Sequence, residues 1–115
     1  METIEATTDK GIRAARKFLA RRGEVLEVLS DGEDRTVAVY RDADEGVLCF
    51  AAVHARRGDE FPPAKSEDRD RAMLEAVAMN WLADSDAPTC DVRLDVLSVM
   101  LLGGTRAFVR LHTAI

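Results

Sequence analysis

Leu48 to Arg57, Leu-Cys-Phe-Ala-Ala-Val-His-Ala-Arg-Arg, is the stretch on which the fold turns. Its apolar residues fall on both faces of an extended chain, so it reads as a strand in the middle of a sheet, covered from both sides. The run stops abruptly at His54, Arg56 and Arg57. Reactive and ligand-binding side chains often stand at strand ends of this kind.

Upstream, Glu24 to Leu29 and Thr36 to Tyr40 are two shorter β-type runs, separated by the polar turn Ser30 to Asp34. Asp42 to Gly46 makes the next turn, and Val47 to Ala55 is the third strand of an antiparallel meander. Before the meander, Thr8 or Asp9 is placed to cap a helix in which Ile12, Ala15, Phe18 and Leu19 recur at helical spacing, and Gly23 supplies its stop. Downstream, Gly58 to Lys65 contains Pro62 and Pro63 and is a loop. Ser66 then caps a second helix running to about Ala83, with Met73, Val77 and Trp81 four residues apart and flanked by Leu74, Ala78 and Leu82.

After a loop from Asp84 to Thr89, Val92 to Leu101 is a long strand whose first half alternates Val92, Leu94 and Val96 against Arg93 and Asp95. The alternation puts Asp95 on an exposed face, in reach of Arg93. Gly103-Gly104 turns the chain into a last strand, Arg106 to His112. The fold class is therefore α/β, in the order α-β-β-β-α-β-β, with one mixed sheet flanked by helices. All 115 residues make one domain, the first eight or so expected to be flexible.

Composition narrows the function classes. The N-terminal residues carry acids and no apolar run, and no segment reaches the ~20 apolar residues of a membrane span, so the expected location is the cytoplasm. Cys49 and Cys90 fit neither a zinc spacing nor a disulfide framework and read as buried small hydrophobes. The net charge of −5 opposes strong general affinity for nucleic acid. Yet Lys10, Arg13, Arg16, Lys17, Arg21 and Arg22 follow one another without an acid between, making the first helix strongly cationic in an acidic chain. No phosphate-cradling glycine loop is present, because Gly103-Gly104 sits in a hairpin, and no serine has a nucleophile's sequence context.

Three stretches taken together resemble the YraN-like family, uncharacterised small bacterial proteins predicted to be endonucleases of the restriction-endonuclease-like fold. Gly11, Ala15, Phe18-Leu19 and Gly23 match the family's opening Gly-Glu, Ala, Tyr-Leu and Gly in spacing. Leu48 to Arg56 is similar to its Leu-Val-Phe-Val-Glu-Val-Lys-Thr-Arg, and Arg93-Leu94-Asp95-Val96-Leu97 to its Arg-Phe-Asp-Val-Val. Phe108 to Ile115 stands in place of a terminal Ile-x-His-Ile-x-x-Ala-Phe.

The resemblance implies a divalent cation held by an Asp on one strand and a Glu on the next, with a Lys two residues beyond the Glu to position water. Residues two apart on a strand share a face, and oxygen ligands suit a hard cation. In this chain the Glu position falls on Ala52 and the Lys position on His54. The Asp position falls on Val37 or Ala38, and the family's early helical Glu on Ile12. The implied reading is a degenerate, non-catalytic member with no metal and no other cofactor.

His54 could serve as a general base, since imidazole titrates near neutrality, but the nearby acids Asp42, Asp44 and Glu45 belong to the far end of the hairpin. His112 near Arg110 on the last strand reads as simply solvated, with membership of a basic edge the alternative. What remains is weak, sequence-independent nucleic-acid binding through Arg13, Arg16, Lys17, Arg21 and Arg22 on the helix, with Arg56 and Arg57 beside the lost site. The alternative is an interaction module that forms a homodimer through the last hairpin's edge or the apolar residues Met100 to Leu102. An active nuclease with a rearranged site is the third.

Overall fold

The computed structural model describes residues 4–30, 35–58, 67–85, 91–102 and 106–115. Helix α1 (Ile4–Arg22) leads into strands β1 (Gly23–Ser30), β2 (Thr36–Asp42) and β3 (Leu48–Arg57). Helix α2 (Glu67–Asp84) carries the chain to β4 (Val92–Leu101) and β5 (Ala107–His112). The five strands form one sheet in sequence order, antiparallel except for the parallel pair β3–β4. A parallel neighbour needs a crossover, and α2 supplies it.

The sheet is covered on both faces, and β3 lies at its centre. On one face Ala15 and Leu19 of α1 pack over Ala38, Tyr40, Cys49, Ala51 and Leu97. On the other, Leu74 and Ala78 of α2 pack over Val37, Val39, Phe50, Ala52 and Val96. The six residues Leu48 to Val53 are all buried, and exposure then rises to Arg57. That gradient accounts for the apolar run and its charged end. On α2 the innermost residues are Leu74 and Ala78, with Met73, Val77 and Trp81 partly buried beside them. Trp81 sets its ring edge-on to Phe50 at 5.8 Å and donates its indole N–H to Glu27 across the sheet edge at 2.8 Å.

Two glycines of the family-like pattern sit where nothing larger fits. A methyl group on Gly11 would collide with the Cβ of Ala55, so α1 crosses β3 at backbone range. One on Gly23 would collide with the carbonyl oxygen of Arg41, where β1 begins directly after α1.

Several expectations change. Helix α1 starts at Ile4, upstream of the expected caps Thr8 and Asp9, because Glu5 and Ala6 suit a first helical turn and need no apolar periodicity. Residues 1–3 lie outside the described residues, and with them part of the leader expected to be flexible. The Asp31–Asp34 part of the first turn, the loop residues 59–65, the Ser66 cap, Cys90 and the Gly103-Gly104 turn also lie outside them. Among the described residues no helix is long and apolar enough to cross a membrane.

Candidate functional site

The positions that the resemblance assigns to metal chemistry fall into two groups. Val37 pairs with Ala52, Ala52 with Val96, and Val96 with His112, a row running across four strands on the α2 face. Ala38 lies on the α1 face, and Ile12 belongs to α1, so of the two candidates for the Asp position only Val37 shares a face with Ala52. Val37 and Ala52 are 3% and 1% exposed and form part of the core under Leu74 and Ala78. Neither side chain has a donor atom for a cation. The residues present do not fit the divalent metal of the resembled family, and among the described residues no three His, Cys, Asp or Glu converge as a ligand set.

His54 lies two residues beyond Ala52 on the same face, at the end of β3. It has a partner that sequence spacing did not reveal. Asp70, in the first turns of α2, brings Oδ2 to 3.1 Å from His54 Nε2. The side chains are 38% and 12% exposed, so the pair spans the boundary between core and solvent. The acids Asp42, Asp44 and Glu45 do lie at the other end of the strand, as expected, and contribute nothing here.

At that other end the structure corrects the placement of Asp95, which is fully buried rather than on an exposed face. Both faces of β4 are covered, so an alternating pattern here separates two interiors rather than core from solvent. Tyr40 donates its hydroxyl to Asp95 Oδ2 at 2.5 Å, and Arg93 donates to both Asp95 oxygens at 2.9 and 3.1 Å. The same guanidinium reaches Asp42 at 3.0 Å and Glu45 at 2.9 Å, and the backbone N–H of Ala114 donates to Asp95 at 3.1 Å. Asp42 also accepts the N–H groups of Asp44 and Glu45, which shapes the β2–β3 turn.

The electrostatics follow from this packing. Burial works to raise the Asp42 carboxyl, but the Asp44 N–H, the Arg93 guanidinium and the Glu45 N–H outweigh it and hold the group below the ordinary carboxylate range. Burial, aided by the Asp95 bond, pushes the Tyr40 phenol far up; the hydrogen bond to Asp95 raises Arg93 against the cost of burial. Burial and the nearby Asp95 charge push the Cys49 thiol up to about 11, so it is the inert, buried cysteine expected. With every charge answered internally, this cluster is equipped to hold β2, β4 and the residues near Ala114 together rather than to bind a ligand.

The cationic residues gather elsewhere. A groove of about 500 Å³ runs between α1 and the ends of β3, β4 and β5. Lys10, Arg13, Lys17 and Arg21 line it from the helix, and Arg57 and Arg106 from the sheet side, around the apolar residues Phe18, Leu101 and Phe108. Among the described residues no acid lines it. Of the residues proposed from sequence, Arg13, Lys17, Arg21 and Arg57 therefore share one site. Arg16 is exposed but does not line the groove, Arg22 lies 3.8 Å from Asp42, and Arg56 projects from the opposite face of β3. Lys10 and Arg106 were missing from the sequence-derived set. Lys10 is three residues before Arg13 on the same helical face, a readable signal, whereas Arg106 is brought in only by the tertiary fold.

The glycine positions, the β3 run and the β4 run thus have defined structural roles in the order in which the sequence carries them. The chain is similar to a UPF0102 protein. That relative, from Nocardia farcinica, is 28% identical over 119 residues, covering 84% of this chain and 94% of its own length. UPF0102 is the designation of the YraN-like proteins that the sequence resembles. No family model matches the chain, and no solved structure matches it. The UPF0102 designation by itself specifies no activity.

Proposed function

We propose that the chain is a UPF0102, YraN-like protein with a restriction-endonuclease-like fold that binds nucleic acid without cleaving it. The similarity along most of the chain supports the family, and the α-β-β-β-α-β-β order with its mixed sheet supports the fold. The absence of cleavage is inferred from Val37 and Ala52, whose side chains cannot replace the carboxylates the chemistry requires.

The observation that carries the binding reading is the groove that, among the described residues, is lined by six cationic side chains and no acid, in a chain of net charge −5. Like charges at helical i,i+4 spacing cost about 0.2–0.5 kcal/mol per pair, and Arg13, Lys17 and Arg21 incur this twice. A purely structural face has no use for that arrangement, whereas a polyanion offsets it and releases counterions as it binds. Binding should be weak, independent of sequence and steeply dependent on salt.

The test is fluorescence anisotropy with labelled DNA and RNA at ~50 mM salt, repeated at rising salt. Arg13→Glu with Lys17→Glu should abolish the signal; undetectable affinity of the unaltered protein ends the proposal. Incubation with Mg²⁺ or Mn²⁺ should leave branched and single-stranded DNA intact, and metal-dependent turnover above that of a His54→Ala variant would overturn the non-catalytic part.

A second reading, a homodimer through the sheet edge, is favoured by Phe108, which is 50% exposed on edge strand β5. Met100 and Leu101 do not contribute, being 8% and 7% exposed within the chain itself. Light scattering on a size-exclusion column decides it, since a strict monomer at high concentration removes this reading.

A further inference from the structure

We infer that the bound polymer is single-stranded, with one base stacked on Phe108 beside Arg56 and Arg110. This rests on the nucleic-acid reading above and narrows it. Ala107, Val109 and Leu111 pack against the α1-side core, so Phe108 and Arg110 between them project from the opposite face of β5. Val53 and Ala55 likewise belong to the α1 side, which puts His54 and Arg56 on the face that Phe108 shares.

The strand registers then fix the neighbours. Arg56 is opposite Met100 and Met100 opposite Phe108, while His54 is opposite Ser98 and Ser98 opposite Arg110. At the usual strand spacing Arg56 lies about 10 Å from Phe108, and Arg110 about 7 Å from it along β5. Arg56, Phe108 and Arg110 are all exposed, over a buried Met100.

Because β5 is an edge strand, Phe108 also borders the cationic groove on the other side of the sheet. A polynucleotide whose phosphates lie along Lys10, Arg13, Lys17 and Arg21 reaches this ring next as it passes over the edge. An exposed phenyl with Arg56 across the sheet and Arg110 along its own strand suits an unpaired base, which stacks on it whatever its identity. A duplex keeps its bases stacked inside and turns phosphates outward, so it gains from the cations and nothing from Phe108.

The experiment compares a fluorescein-labelled oligothymidylate of about 20 nucleotides, the duplex of the same length and thymidine monophosphate, on the unaltered protein and on Phe108→Ala, Phe108→Tyr and Arg13→Glu/Lys17→Glu. Thermal melting confirms that each variant folds, and light scattering records its oligomeric state. The expected result is single-strand binding at least about tenfold tighter than duplex, reduced about tenfold by Phe108→Ala, restored by Phe108→Tyr, and lost with the double Glu variant. Duplex binding as tight as single-strand binding, or a neutral Phe108→Ala, overturns the inference while leaving the groove as a nucleic-acid site. Binding of the monophosphate as tight as the oligomer reassigns the site to a free nucleotide and overturns it too. A dimer converted to monomer by Phe108→Ala, with oligonucleotide affinity unchanged, gives the ring to a second copy of the chain. Absence of binding to all three probes removes both this inference and the reading beneath it.

Discussion

At its Leu48 end, β3 runs beside a buried polar network; at its Arg57 end it delivers His54, Arg56 and Arg57 to the surface. In the first region Arg93, Asp95, Asp42 and Tyr40 satisfy one another, with Asp95 fully buried and the Arg93 side chain only 11% exposed. In the second, the His54–Asp70 pair is the anchor, and the surrounding cations line a groove or stand exposed at the end of β3. Charge whose partners lie inside the fold specifies the fold. Charge of one sign gathered along one groove is what the proposed nucleic-acid reading rests on.

The contrast can be broken first at Arg93. Arg93→Ala strands two buried carboxylates, and urea denaturation at neutral pH should show a loss of about 3–5 kcal/mol. A loss below about 1 kcal/mol would mean the network is not what holds β2 to β4.

Acid should act on the same end, more gently. The Asp42 carboxyl lies below its unfolded value of 3.8, so its contribution is complete above that pH and is lost as pH falls through the lower folded value. Stability measured between pH 5 and 2 should therefore decline. Asp42→Asn, which keeps an acceptor for the Asp44 and Glu45 N–H groups, should flatten that decline while lowering stability near neutrality.

At the other end the expected effects are small. His54→Ala should cost no more than about 1 kcal/mol, because the imidazole is more than a third exposed and solvent screens its pairing with Asp70. Smallest is Arg13→Glu with Lys17→Glu, which should move the unfolding free energy by less than about 0.5 kcal/mol, while the proposed nucleic-acid binding should be lost in the same variant. Equal destabilisation by Arg93→Ala and His54→Ala would erase the distinction between the two ends.

Much of the fold was legible because it rests on local patterns. The α1 and α2 stripes, the meander and the bounds of β4 follow from periods of 3.6 and 2 and from turn residues. The start of α1 was not, since Ile4 to Thr8 lies before the apolar repeat begins. The burial of Asp95 was hidden for a different reason: a charged residue looks solvated until Tyr40, 55 residues away, is known to donate to it directly and Asp42 to share its Arg93. For the candidate site, the cationic helix and the apolar residues at Ala52 and at Val37 or Ala38 could be read directly, while the choice of Val37 needed the sheet faces. The division of Arg56 from Arg57 was implicit in strand alternation, but Asp70, Arg106 and Phe108 join the picture only once the sheet is assembled.

The parallel pairing of β3 with β4 also bears on how the chain reaches this state. Strands β1 to β3 form a meander of neighbours, and β4 with β5 forms a hairpin, so both can zip from short closures. Their junction cannot, because α2 must first reverse the chain across the sheet before Leu48 meets Val92. That single long-range closure should set the folding rate, and the bonds from Tyr40 to Asp95 and from Arg93 to Asp42 latch the two halves once it is made.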